Sequence, residues 1–421
     1  MRKFALVFLV LSCFLSFFVS AQVIEKGKTN PNVDYAKLAR IDTLIDSYVK
    51  NDWLKGVVTL IVKDNQLVQY KGYGYADAAT KKSMPADALF RIASQTKAIT
   101  SVGIMILYEQ GKLLLDEPLG DFIQEFKNEV VLDKFNAADT TYTTVPARRN
   151  ITIRDLLTHS SGIDYPGIGS ANMRAIYAKA GIPSGLGDFH TELLTQMKKL
   201  GRLPLAFQPG ERFQYGLNTD LLGCIIEVIS GQPLEEFFRK NIFEPLEMND
   251  TYFNVPAAKA SRLAVVYTED ADHHIIALNP DAGVDPGYPI KDKHYFSGGA
   301  GLSSTAFDYA VFLQMLLNGG IYNGKRILSP RTVEMMTSNQ LDFHFNGIND
   351  FGLGFEIVTD KAANLGPKNK GSFSWGGYFG TTYWADPKEK MICLIMTQQT
   401  PNSHGDIVIR LTNMIYASLK K

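Results

Sequence analysis

The 421-residue chain is poor in cysteine, with three, and it has no HExxH and no Cys or His spacing that would hold zinc. Its 43 basic and 43 acidic side chains cancel, and no long block of either sign occurs. That balance removes the electrostatic footprint of a nucleic-acid partner or an anionic membrane surface. There are no internal repeats and no low-complexity segments. G-x-S-x-G is also missing, which argues against the nucleophile elbow of an α/β-hydrolase. What the chain does have is 45% hydrophobic and 11% aromatic residues, ample for a sizeable core. A small uncharged or mildly charged molecule is the partner this composition suits.

One apolar run is long, Phe4 to Val19, preceded by Arg2 and Lys3 and followed by Val19-Ser20-Ala21 before Gln22. This is the layout of a cleaved secretory signal over residues 1–21. The competing reading is a membrane anchor, because the run approaches the roughly 20 residues that span a bilayer. Cys13 leaves a lipid anchor as a minor alternative. Cleavage predicts an exported protein, periplasmic or extracellular, with no stable membrane span and one domain over residues 22–421. Of the cysteines only Cys224 and Cys393 then remain, each inside an apolar stretch, so two buried free thiols are expected in place of a disulfide.

Along the chain the hydrophobic period changes several times. Leu38, Ile41, Leu44, Ile45 and Tyr48 recur at helical spacing and predict an amphipathic helix ending near Asn51. "GVVTLIVKDNQLVQYKGYGYAD" then reads as two strands around an Asp64-Asn65 turn. Residues 94–110 are helical and apolar nearly all round, which predicts a buried helix, with Gly111 at its C-terminal end. From residue 124 to 289 strand signals are weak and helix and turn signals alternate. A second hairpin at Asp386-Pro387 and a closing helix in "DIVIRLTNMIYASLKK" complete the chain. The predicted fold is α+β: an antiparallel sheet built from residues 34–123 and 290–421, flanked by the terminal helices, with a mainly helical region over 124–289 inserted. A cleft between the two regions would hold the site.

Within "RIASQTKAIT", Ser94 stands three residues before Lys97. Serine is a poor nucleophile at neutral pH and needs a base within hydrogen-bond reach. S-x-x-K occurs three times in this chain, at Ser47/Lys50, Ser94/Lys97 and Ser418/Lys421. Only the second heads a helix that its own apolar residues must bury, and burial disfavours the charged form of a lysine, as proton abstraction requires. The alternative is that Ser94 is a helix cap and Lys97 snorkels to solvent.

"RIASQTKAIT", "ITIRDLLTHSSGI", "ERFQYGLNTDLLGCIIEVISGQPLEEF", "GGAGLSSTAFDYAVFLQMLLNGG" and "WGGYFGTTYWADP" occur in the order seen in the serine β-lactamase-like hydrolases. That family includes class C β-lactamases, penicillin-binding D-alanyl-D-alanine carboxypeptidases, D-aminopeptidases and related carboxylesterases, and the resemblance spans about residues 35 to 418. It implies the transpeptidase fold, an antiparallel sheet from both chain ends with a helical region between. It implies Ser94 as nucleophile, Lys97 and Tyr215 as proton-transfer groups, and backbone N–H groups of Ser94 and Tyr378 as an oxyanion hole. Asn218, Trp375, Gly376 and Gly377 become the substrate-binding positions. No metal or organic cofactor is implied. His159, in "LTHSSG", falls on what the resemblance makes a structural turn.

Two positions depart from the family pattern. The usual Tyr-x-Asn has Leu217 where the asparagine belongs, with Asn218 one residue later. The third motif opens with Trp375 in place of Lys or His, which forfeits a charge-assisted hydrogen bond to a substrate carboxylate unless Lys368 or Lys370 reaches in. Both departures suit esters or small amides; the alternatives are β-lactams or cell-wall peptides, or a non-catalytic binding or sensor protein on the same scaffold.

Overall fold

A computed structural model describes residues 23–187, 190–280 and 283–420; the expected signal segment lies outside them. A helix at Tyr35–Leu38, N-capped by Asp34, leads into α1 (Arg40–Lys50), so the predicted first helix is broken at Ala39 and ends at Lys50. β1 (Gly56–Lys63) and β2 (Gln66–Asp77) follow as an antiparallel hairpin. Its two connecting residues, Asp64 and Asn65, have φ of 52° and 62°, the left-handed pair that a two-residue hairpin turn requires. After β3 (Lys82–Ser83) comes the buried helix α2 (Thr96–Glu109), closed by Gly111 at φ 68°.

Helices α3 (Asn218–Ser230) and α4 (Ala306–Leu317) precede β4 (Asp350–Phe351), β5 (Glu356–Ile357), β6 (Phe373–Gly376), β7 (Thr382–Asp386) and β8 (Met391–Thr397). The chain closes with α5 (Ile407–Ala417). The sheet runs β4-β5-β6-β7-β8-β1-β2-β3, antiparallel throughout, and joins the two ends of the chain where β8 pairs with β1, Val57 opposite Thr397. The fold is thus the expected α+β arrangement. The second hairpin turns through Pro387–Lys390, with Asp386 opposite Met391.

Alternation along β1 explains its largely apolar sequence. Val58, Leu60 and Val62 pack with α2 and α4, whereas Val57 and Ile61 pack with Ile41 and Ile45 of α1 and Leu411 and Ile415 of α5. The strand is buried on both faces and has no polar side to show. Cys224 and Cys393 are free and buried, as expected. Among the described residues no helix is long and apolar enough to cross a membrane.

One region departs from the sequence reading. In the stretch where strand signals are weak, Tyr267–Glu269 pairs with Ile275–Ala277, and Val130–Asn136 and Thr141–Pro146 form a longer hairpin. Its second strand, "TYTTVP", is exposed at every position, so it carries β-branched propensity without the apolar alternation that marks a half-buried strand.

Candidate active site

The segment carrying Ser94 is positioned from its N-terminal side. Phe90–Arg91 pairs with Ser303–Ser304, and the buried Arg91 guanidinium bonds the carbonyls of Pro286 and Ala264, the latter at 2.8 Å. Ala93 then takes φ 41°, an unfavourable value for a residue with a Cβ. The chain makes one 3-10 turn, Ala93–Gln95, before α2 begins. Ser94 therefore sits on the turn that feeds the helix, not inside it, and Lys97 follows in the helix's first turn.

Lys97 is 3% exposed, which decides against snorkelling. Its Nζ donates to the Gly299 carbonyl at 2.7 Å and lies 3.4 Å from Ser94 Oγ. The other two S-x-x-K serines do something different. Ser47 Oγ donates to the Leu44 carbonyl and Ser418 Oγ to that of Ile415, each within its own helix.

Tyr215 stands at the N-terminal approach to α3, stacked on Tyr165 at 5.7 Å between ring centres and tilted against Trp375 at 5.6 Å and His159 at 4.9 Å. The Lys97 ammonium lies over its face, 4.6 Å from the ring centre. The Tyr215 hydroxyl is buried and has no hydrogen-bond partner among the described residues. Ser94 and Tyr215 together line two hollows. One, of about 160 Å³, is walled mainly by apolar groups of Tyr165, Ile168, Leu186 and Tyr378. The other is an open cleft of about 460 Å³ that runs past Trp375 and Gly376 to Glu356 and Lys368.

Trp375 and Gly376 end β6, and the turn after them is held tightly against the Ser94 segment. A Cβ at Gly377 would collide with the Ile92 carbonyl and Thr381 Oγ1, so only glycine allows this approach. Phe379 packs with Ala93 in one small apolar cluster. The neighbouring Gly377 N–H is spent on the Thr381 carbonyl at 2.7 Å, while the Tyr378 N–H makes no backbone hydrogen bond among the described residues. Tyr378 and Ser94 thus flank the same hollow with an amide available at the turn.

The structure brings Ser94, Lys97, Tyr215, Trp375, Gly376, Gly377 and Tyr378 together, but not Asn218. That side chain is fully buried behind Tyr215: its Oδ1 accepts from Ser161 Oγ, and its Nδ2 meets His159 Nδ1 at 2.9 Å. The expectation that Asn218 contacts substrate is corrected accordingly, since the helix starting there turns the amide into the core and Leu217 beside it is also buried. His159 packs under the Tyr215 ring at φ 56°, and burial, with Lys97 adding to it, holds its imidazole well below its usual pKa. Lys370 is exposed and paired with Asp360 at 2.6 Å, so it does not reach in. Lys368 does line the cleft, its ammonium 5.1 Å from the Trp384 ring centre and its pKa lowered by burial.

Sequence reasoning missed Tyr165, the Gly299 carbonyl and Asp220. "IDYPGIG" has a turn signal and no catalytic spacing. A main-chain oxygen leaves no mark in a sequence at all. Asp220 could have been noticed as an acid beside the apolar run of its helix.

The Beta-lactamase family profile matches residues 41–413. Protein Rv1367c of Mycobacterium tuberculosis is 36% identical over 366 residues, covering 84% of this chain and 88% of its own. Esterase EstB of Burkholderia gladioli is 28% identical over 403 residues, covering 92% and 97%. Among solved structures, EstCE1, a hydrolase with promiscuous acyltransferase activity, matches with a TM-score of 0.79 at 25% identity, over 90% of this chain and 99% of that one.

Proposed function

Because the chain belongs to the Beta-lactamase family, we propose that it is an exported serine hydrolase that forms an acyl-enzyme at Ser94 on esters or small amides. The observation that carries this reading is the approach of Lys97 Nζ to Ser94 Oγ, with the ammonium over the face of the Tyr215 ring. In the reaction the Ser94 hydroxyl proton passes to the Lys97 and Tyr215 pair as Oγ bonds to the substrate carbonyl carbon. The carbonyl oxygen takes up the negative charge against the N–H groups of Ser94 and Tyr378. Collapse breaks the bond to the leaving group, which receives the proton by way of Tyr215. Water then adds to the acyl carbon through the same groups, releasing the acid and restoring Ser94.

The apolar hollow beside Ser94 suits an acyl group. Trp375 at the cleft edge, with Asn218 tied up in the core, suits a substrate that offers neither a carboxylate nor a peptide amide there. The names of EstB and EstCE1 support the same assignment. Export rests on residues 1–21, and the mass of the secreted chain tests it: the mature protein is expected to begin at Gln22. For the activity, short-chain p-nitrophenyl esters are to be hydrolysed by the wild type. A fluorophosphonate is expected to add once to it, with both signals lost in Ser94→Ala; equal rates in the variant sink the proposal. One observation favours a second reading, on β-lactams or cell-wall peptides: Lys368 supplies a cation to the cleft that Trp375 does not. Stoichiometric labelling by a fluorescent penicillin would select it.

A further inference from the structure

Asp220 lies in the first turn of α3, five residues after Tyr215, and is wholly buried. Its Oδ1 accepts from Tyr295 Oη at 3.2 Å, while Oδ2 has no hydrogen-bond partner among the described residues. No cation forms a close ion pair with it among the described residues. The cation that faces it is Lys97, across Gly299. A Cβ placed on Gly299 would stand 2.5 Å from Asp220 Oδ2 and 3.4 Å from Lys97 Nζ, and the carbonyl of the same residue accepts from Lys97 at 2.7 Å. A buried charge is costly unless an opposite charge shares its surroundings. The remaining titratable groups facing this pair are the phenols of Tyr165, Tyr215 and Tyr295, the imidazole of His159 and the Cys224 thiol one turn along α3. None of these is a second cation while His159 stays neutral.

We propose that Asp220 is the counter-charge of Lys97, a positioning residue that holds the ammonium against Gly299 and sets the pH at which Lys97 can accept the Ser94 proton. This rests on the serine hydrolase reading above. Nothing is formed or broken at Asp220 itself. Its negative charge favours the protonated lysine over the neutral one. The glycine at 299 keeps the space between the two charges free of a side chain.

The test follows Ser94 labelling by a fluorophosphonate against pH, by intact mass, in wild type and Asp220→Asn. Asparagine keeps the shape and can still accept from Tyr295, but it carries no charge. The acid limb of the labelling rate is expected to move to lower pH by about one unit, with a lower plateau because the lysine is then the weaker base. An unmoved limb in a folded variant overturns the proposal. A second measurement does not depend on activity. Lys97→Met strands the carboxylate and is expected to lower Tm, and adding Asp220→Asn should restore much of the loss. Additive losses overturn the pairing. A wild type that takes no label defeats the hydrolase reading, while the Tm cycle still reports on the pair.

Discussion

Lys97 places its ammonium over the face of the Tyr215 ring, 4.6 Å from its centre, and not beside its hydroxyl. The two groups that would share a proton are therefore coupled through the ring's quadrupole and a common neighbour, Ser94, without a hydrogen bond between them. The phenol oxygen is buried with no partner of its own. Proton transfer is the use proposed for it above.

Tyr215→Phe separates that use from packing. The ring contacts to Tyr165, Trp375 and His159 survive, and an unpaired hydroxyl is removed. Activity on esters is expected to fall roughly 10²- to 10⁴-fold, while Tm holds or rises. A variant with near wild-type kcat would show that the phenol handles no proton.

Gly377→Ala tests the turn that faces Ser94. The added methyl must push against the Ile92 carbonyl and Thr381 Oγ1, so the Tyr378 amide moves away from the nucleophile. A fall in kcat of about 10²- to 10³-fold is expected, the size of a lost oxyanion donor. An unchanged kcat in folded protein would place the oxyanion elsewhere.

Lys368→Ala divides the two substrate readings. For an ester without a carboxylate, kcat/KM should stay within about twofold; for acylation by a penicillin, which carries one, a loss of about tenfold or more is expected. Equal effects on both would mean that Lys368 shapes the cleft and reads no charge.

Asp308, in the first turn of α4, accepts from the Asp250 N–H at 2.7 Å and Thr251 Oγ1 at 3.0 Å, and burial pushes its pKa up to about 6. An unfolded aspartate titrates near 3.9. Between these values the folded state holds more protons, so the stability this group provides below about pH 4 is lost as pH rises through 6. In Asp308→Asn that loss is absent. Relative to wild type the variant should gain about 2 to 3 kcal/mol between pH 4 and pH 7, read from urea unfolding at each pH. Parallel profiles would contradict the shifted titration.

Much of this architecture could be read from residues alone, where one physical signal dominated. Asp64-Asn65 between two β-rich runs, the all-apolar 94–110 helix and the closing helix each follow from local chemistry, and the structure has them. The exposed "TYTTVP" strand could not be found by a method that looks for a buried face. At the site, spacing gave three S-x-x-K pairs and the apolar run after Ser94 singled out one of them; the 3% exposure of Lys97 bears out the burial that choice assumed. Asn218 misled because sequence proximity to Tyr215 says nothing about which way a helix's first residue turns. Asp220, two residues further on, points into the same core and was passed over because its partner, Lys97, is more than a hundred positions away.

The sheet closes only where β8 meets β1, so strands near residue 60 and residue 395 must find each other across most of the chain. Gly377 against Ile92 is the same long-range meeting, repeated at the turn that faces Ser94. A ribosome that has yet to deliver β6 to β8 holds a serine and a lysine with no wall opposite them. The cleft around Ser94 is therefore a property of the finished molecule and not of any fragment. Contacts of such sequence separation also form slowly, so the two walls of the cleft come together late in folding.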